Sequence, residues 1–179
     1  ELMKTLLTIR SKIAQCIMAK PSSIESHQRF IKAVHSTLQA GKADKDRVVE
    51  YFTLNYDTLI EDALGLEKIP YADGFKGGTT GWWDISGYSA NATRAKVYKV
   101  HGSIDWCLLD GDVFPRRLRS SLTKKGNLNE VMIWPAATKY RETQRDPFAQ
   151  ILDMLKATLR PTSSELVLCI CGYGFGDDH

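Results

Sequence analysis

Leu2, Leu6, Ile9, Ile13 and Ile17 recur at the three- and four-residue steps of one helix face, which predicts an amphipathic helix over residues 2–19 stopping near Pro21. Ser22 followed by Glu25 fits a reciprocal cap, and the helix it opens is expected to bury Phe30, Ile31, Val34 and Leu38 before Gly41 ends it. The pattern then changes period. Val48 to Leu54 is β-branched and aromatic and gives way to Asn55-Tyr56-Asp57 and a helical stretch from Thr58 to Leu64, so a strand, a tight turn and a helix are expected. Residues 69–95 hold Pro70, five glycines and the pair Trp82-Trp83 with little periodicity, and predict an irregular excursion rather than a sheet element.

Val97 to Val100 predicts the next strand, and His101-Gly102-Ser103 falls where it ends. Ile104 to Leu109 and Val113-Phe114, joined by Asp110-Gly111-Asp112, read as a hairpin, followed by a basic polar loop through Lys125. Val131 to Trp134 is short and apolar, and Pro135 stops it. Asp146 and Pro147 open a helix with Phe148, Ile151, Leu152, Leu155 and Leu159 on one face. Leu166 to Cys171 is a continuous apolar run, the pattern of a strand buried on both faces of a parallel sheet. Strands interleaved with helices predict an α/β fold, a Rossmann-like doubly wound parallel sheet with helices on both faces, incomplete at both ends. Ligands of such sheets bind outside the carboxyl ends of the strands. Three strands are expected to end there, in Asn55-Tyr56-Asp57, His101-Gly102-Ser103 and the turn from Gly172 to Gly176.

A length of 179 residues suits one domain with one core, and 43% hydrophobic with 25% charged residues excludes a disordered or fibrous chain. The net charge of +3, with both signs spread along the chain, does not indicate a nucleic-acid partner. Four cysteines form neither a disulfide framework nor paired C-x-x-C motifs, so a cytoplasmic, reducing location is expected. No apolar run approaches the roughly 20 residues of a membrane span. A chain opening on Glu1, and ending in a turn that enters an unfinished helix, is expected to be a fragment.

The motifs Thr-Leu-Asn-Tyr-Asp-Thr-Leu-Ile-Glu from Thr53, His-Gly-Ser-Ile-Asp-Trp from His101 and Gly-Tyr-Gly-Phe-Gly-Asp-Asp-His from Gly172 resemble the sirtuin family over about residues 48–179. More narrowly they resemble the prokaryotic sirtuin-like domains of antiphage defence proteins. The resemblance implies NAD as substrate, with Asn55 holding the nicotinamide ribose and the attacking water, and His101 acting as base on a ribose hydroxyl. It implies that Asp57 contacts the nicotinamide carboxamide, and that Gly172, Tyr173, Gly174 and Gly176 meet the adenosine half. Thr53, Gly102 and Ser103, flanking these residues within the motifs, join the implied NAD-contacting set.

Those residue types suit the chemistry. Nicotinamide leaves as a neutral molecule, so positive charge develops on the ribose and polar groups around it matter more than an acid on the leaving group. An imidazole titrating near neutrality can take up the proton, a contribution of roughly 100- to 10,000-fold in rate. Glycines let backbone amides approach a phosphate or ribose.

Three departures from the family pattern shape the expectation. Leu54 stands where the family has glutamine, so one ribose contact is absent or supplied elsewhere. The glycine-rich turn that cradles the pyrophosphate is expected upstream of Glu1. The paired C-x-x-C zinc module of the deacetylating members is missing, so no zinc is expected and hydrolysis of NAD to nicotinamide and ADP-ribose is favoured over deacylation. The implied biology is antiphage defence by NAD depletion, restrained by a regulatory domain, a partner or homo-oligomerisation.

Simpler readings stand beside these. Asn55 and Asp57 can merely cap the following helix, and a lone histidine at a strand end is commonly a surface residue. Asp105 and Trp106 can be hairpin packing. Cys169 and Cys171 read as small core residues rather than metal ligands with Asp177, Asp178 and His179. Arg116, Arg117, Arg119, Lys124 and Lys125 read first as a solvated loop, and otherwise as a guide for a phosphate-bearing ligand or nucleic acid. Trp82 and Trp83 can cover the nicotinamide pocket or an interface. Two other functions remain open: a non-catalytic module sensing NAD or a related nucleotide, and an NAD-dependent protein deacylase.

Overall fold

The computed structural model describes residues 2–19, 23–40, 48–90, 92–118, 129–133, 144–160 and 166–172. Helix α1 (Leu2–Ala19) is followed by α2 (Glu25–Lys32) and a single π turn over Ala33–Thr37. Then come β1 (Val49–Thr53), α3 (Leu59–Leu66), β2 (Tyr71–Ala72), β3 (Phe75–Lys76), β4 (Thr80–Trp83) and a short 3-10 turn. They lead to β5 (Ala95–Lys99), β6 (Gly102–Leu108), β7 (Arg116–Leu118), β8 (Asn129–Met132) and α4 (Phe148–Thr158). Among the described residues no helix is long and apolar enough to cross a membrane.

Three strands form a parallel sheet in the order β1-β5-β2, with β5 in the centre. Side chains of β5 alternate between its two faces. Ala95 and Val97 pack with Ile31 of α2 and with Ala63 and Leu64 of α3. Tyr98 and Val100 join Trp83, Tyr88, Trp106, Phe148 and Ile151 in a second, aromatic cluster. Stacking of Tyr98 against both Phe52 and Tyr88, each at 4.4 Å between ring centres, fastens that cluster to the sheet. The parallel sheet is thus covered by α2 and α3 on one face, and by α4 and aromatic side chains on the other.

A second sheet, antiparallel and in the order β3-β4-β7-β6-β8, separates the observed fold from the single doubly wound sheet expected. Residues 69–95 supply two of its strands, β3 and β4, and also β2 of the parallel sheet, rather than an irregular excursion. Strands of two to four residues are too short to show alternation. Their glycines mark close backbone approach instead: a Cβ on Gly81 would lie 3.0 Å from the carbonyl oxygens of both Lys76 and Gly77. The hairpin from β6 also returns later than expected. Cys107 faces Arg116 and Trp106 faces Arg117, while Val113 and Phe114 stay exposed in the connection.

Three further differences have physical causes. The π turn shifts the helical register, so His35 is buried at 2% exposure while Leu38 stands 75% exposed. His35 shares a 2.9 Å hydrogen bond through Nε2 with the Tyr51 hydroxyl, and its carbonyl accepts one from Arg94. Ser22 and Gly41 lie outside the described residues, and the Ser23 hydroxyl accepts a 3.4 Å bond from the Glu25 amide instead. Finally, the run 166–171 is exposed and joins neither sheet, with Val167 at 84% and both Cys169 and Cys171 at the surface rather than in a core. Hydrophobicity marks a segment able to be a buried strand, but only a hydrogen-bonding neighbour makes it one.

The shifted register gives a direct test by urea denaturation. Truncating fully buried Ile31 to Ala should cost about 2–5 kcal/mol, whereas Leu38→Ala should change stability by no more than about 0.5 kcal/mol. Comparable losses would mean that an uninterrupted α-helix presents Leu38 to the core.

Candidate functional site

Thr53, the last residue of β1, lies opposite Lys99, the last of β5. A bond from the Val100 amide to the Thr53 carbonyl, 3.0 Å long, carries the pairing one residue further. The two chains therefore leave the sheet side by side, one into Leu54-Asn55 and the other into His101-Gly102. The Asn55 backbone N–H donates to the Thr53 hydroxyl oxygen over 3.1 Å. The Asn55 side chain is exposed and takes no hydrogen bond among the described residues. His101 is half-buried, its carbonyl accepting from the Ile133 amide at 2.7 Å. Thus Asn55 and His101 follow adjacent strand ends.

Gly102 makes the exit of His101 possible. It sits at φ +85°, and a Cβ there would come within 2.1 Å of the Val131 carbonyl oxygen. At this joint the chain leaves the parallel sheet and enters β6, with Gly102 facing Met132 of β8. Any other residue would meet both that carbonyl and a left-handed penalty of roughly 1–2 kcal/mol.

The turn after β1 is laced down from beneath. Tyr56 presents its carbonyl to the Ile104 amide at 2.9 Å and to the Ser103 hydroxyl at 3.2 Å, and its own hydroxyl donates to the Ile133 carbonyl. Ser103 is thereby fully buried under the edge. Asp57 accepts from the Leu59 amide through Oδ1 at 3.1 Å, so it satisfies the first amide of α3 from one residue ahead of Thr58, the N-cap residue. Asn55 does not share that capping role.

Below the turn lie two groups that the sequence reading passed over. Lys99 and Glu61 are 1% and 7% exposed and pair at 3.5 Å. The Lys99 ammonium also donates to the Asp57 carbonyl, while Oε2 of Glu61 has no hydrogen-bond partner among the described residues. Burial pushes the Glu61 carboxyl up to about 7; Lys99 opposes the shift, and the nearby Asp105 and Asp73 carboxylates reinforce it. The available signal was a lysine inside the apolar strand Val97-Tyr98-Lys99-Val100, since a charge buried there needs a partner.

The remaining candidates divide cleanly. Trp83 is core, its indole N–H given to Gln150 Oε1 at 3.1 Å, and Trp106 is core beside it, whereas Trp82 is exposed. Arg116 is paired with Asp112 and Arg117 with Asp73, so both belong to β7 and its ion pairs rather than to a solvated loop. Arg119, Lys124 and Lys125 lie outside the described residues, as do Tyr173, Gly174, Gly176, Asp177, Asp178 and His179. Of the third motif only Gly172 is described, exposed and at φ +71°. Among the described residues no three ligating side chains gather around a metal position.

The raised Glu61 carboxyl fixes the sign of a pH dependence. Between the ordinary value of 4.5 and the folded value of about 7, the native state holds a proton that the unfolded chain has released. Stability from this group is therefore greatest at acid pH and is lost as pH rises through about 7, an effect of at most about 3 kcal/mol. Urea midpoints should fall between pH 5 and 8 in the unaltered protein and stay flatter in Glu61→Gln; equal slopes would contradict the assignment.

The family model described as SIR2-like domain matches residues 49–179, beginning at the first residue of β1 and including both strand ends. No curated protein matches the chain significantly. SIR2-like domains bind NAD and are generally NAD-dependent enzymes. With the match spanning well over half of its length and containing the Asn55 and His101 edge, the chain belongs to the SIR2-like domain family.

Proposed function

We propose that the protein is an NAD glycohydrolase, breaking the nicotinamide–ribose bond to give nicotinamide and ADP-ribose. One observation carries this reading: Asn55 and His101 follow adjoining carboxyl ends of β1 and β5, the edge where such sheets take their ligands. Water adds to the ribose carbon as the bond to nicotinamide breaks, and one proton is released. Asn55 orients the ribose and the water. His101 takes the proton from water, either directly or through a ribose hydroxyl. Asp57 uses Oδ1 on the Leu59 amide and keeps its second oxygen for the nicotinamide carboxamide N–H.

Thr53 and Gly102 complete the ribose side in this reading, with Gly172, Tyr173, Gly174 and Gly176 toward the adenosine. Ser103 serves from below by holding the Tyr56 carbonyl. Hydrolysis is favoured over deacylation by the lack of paired C-x-x-C motifs in these 179 residues. The motif resemblance supports a cytoplasmic role in antiphage defence by NAD depletion. An activity of that kind must be held off, which calls for a regulatory partner, a further domain or a homo-oligomer.

The test is nicotinamide and ADP-ribose release from NAD by the full-length protein, assayed alone and in extracts of phage-infected cells. Asn55→Ala and His101→Ala should each lower the rate at least about 100-fold, while leaving the melting temperature nearly unchanged. Near-normal release by either variant would refute the roles assigned. NAD binding without release would indicate a sensor, and turnover only with an acylated peptide a deacylase.

A further inference from the structure

We propose that Lys99 is a positioning residue, fastening the Asn55–Asp57 turn to β5 and so fixing the Asn55 amide relative to His101. The proposal rests on the hydrolase reading for its consequence, but the fastening itself is a statement about the fold. Lys99 lies two residues before His101 and opposite Thr53, two residues before Asn55. Alternation along β5 places it with Ala95 and Val97, on the face whose apolar cluster includes Ala63 and Leu64 of α3. Its ammonium donates to the Asp57 carbonyl and pairs with Glu61 Oε1 at 3.5 Å, almost wholly shielded from water.

A residue needed only to fill this space would be apolar. Burying an ammonium and a carboxylate is costly, and replacing such a pair with apolar groups is often neutral or favourable for stability. What an apolar side chain cannot replace is a charge-assisted bond to a backbone carbonyl. That bond complements the anchors on the other side of the turn. Ser103 and Ile104 of β6 hold the Tyr56 carbonyl, and Lys99 of β5 holds the next carbonyl, that of Asp57. Asn55 is thereby framed between the two strands that also bracket His101. Glu61 keeps the ammonium aimed, with Asp105 of β6 and Asp73 after β2 as the other charges that act on Glu61. Misplacement of reacting groups by about 1 Å can cost on the order of 100-fold in rate.

The test compares Lys99→Met with the double variant Lys99→Met, Glu61→Gln, which leaves no unpaired charge buried. The single variant should lose stability because Glu61 is stranded; the double variant should regain most of it. In the double variant we expect nicotinamide release to keep a kcat about 10- to 100-fold below normal, with KM within about threefold of normal, since the loss is in alignment rather than binding. Amide hydrogen exchange over residues 54–58 should stay faster than in the unaltered protein. A double variant with normal kcat and normal exchange would overturn the proposal and leave Lys99 as half of a buried ion pair. If the unaltered protein releases no nicotinamide, the hydrolase reading fails alone, and exchange over residues 54–58 still decides whether Lys99 fastens the turn.

Discussion

The pairing of β1 with β5 runs to the last residue of β1 and one residue past the end of β5, through the bond from the Val100 amide to the Thr53 carbonyl. Parallel strands in this register must end together, so whatever follows them is brought together as well. Here the followers are Asn55 and His101. The surrounding structure maintains the arrangement from several directions: α2 and α3 pack against one face of the sheet, the aromatic cluster against the other, and Gly102 turns the second chain away. Asn55 and His101 thus follow the strand ends beside the joint between the two sheets.

Charge is used sparingly beneath this edge. The aromatic cluster around Tyr98 gives the sheet a dry, rigid floor, and the Lys99–Glu61 pair sits on the opposite face under the turn. A buried pair of this kind is weak as a source of stability but strict in geometry, because both partners and the Asp57 carbonyl must stay aligned for the ammonium to remain satisfied. Rigidity near a strand end is what a site needs if it must hold ribose and water in one arrangement.

Much of this was legible in the sequence. The β-branched segment before Asn55 and the strand before His101 were placed to within a residue or two, and with them the edge on which both motifs meet. The illegible parts have identifiable causes. Strands β2 to β4 are too short to show a period, and their glycines record close approach of one backbone to another. A single π turn reassigned the buried position from Leu38 to His35 without any change in composition to announce it. The run 166–171 has the hydrophobicity of a central strand, yet pairing is a property of two segments and cannot be read from one. Lys99 stood out as a charge inside an apolar strand, but nothing in the sequence named Glu61 as its partner, which only the β1-α3-β5 geometry does.

The central claim is that the nicotinamide ribose sits between Asn55 and His101. The most direct measurement is a crystal structure of the full-length protein with an NAD analogue whose nicotinamide–ribose bond resists hydrolysis. The account predicts ribose hydroxyls at hydrogen-bonding distance, about 3 Å, from both the Asn55 amide and the His101 imidazole. A ribose bound away from that edge, for instance against Asp73 and Arg117, would contradict it.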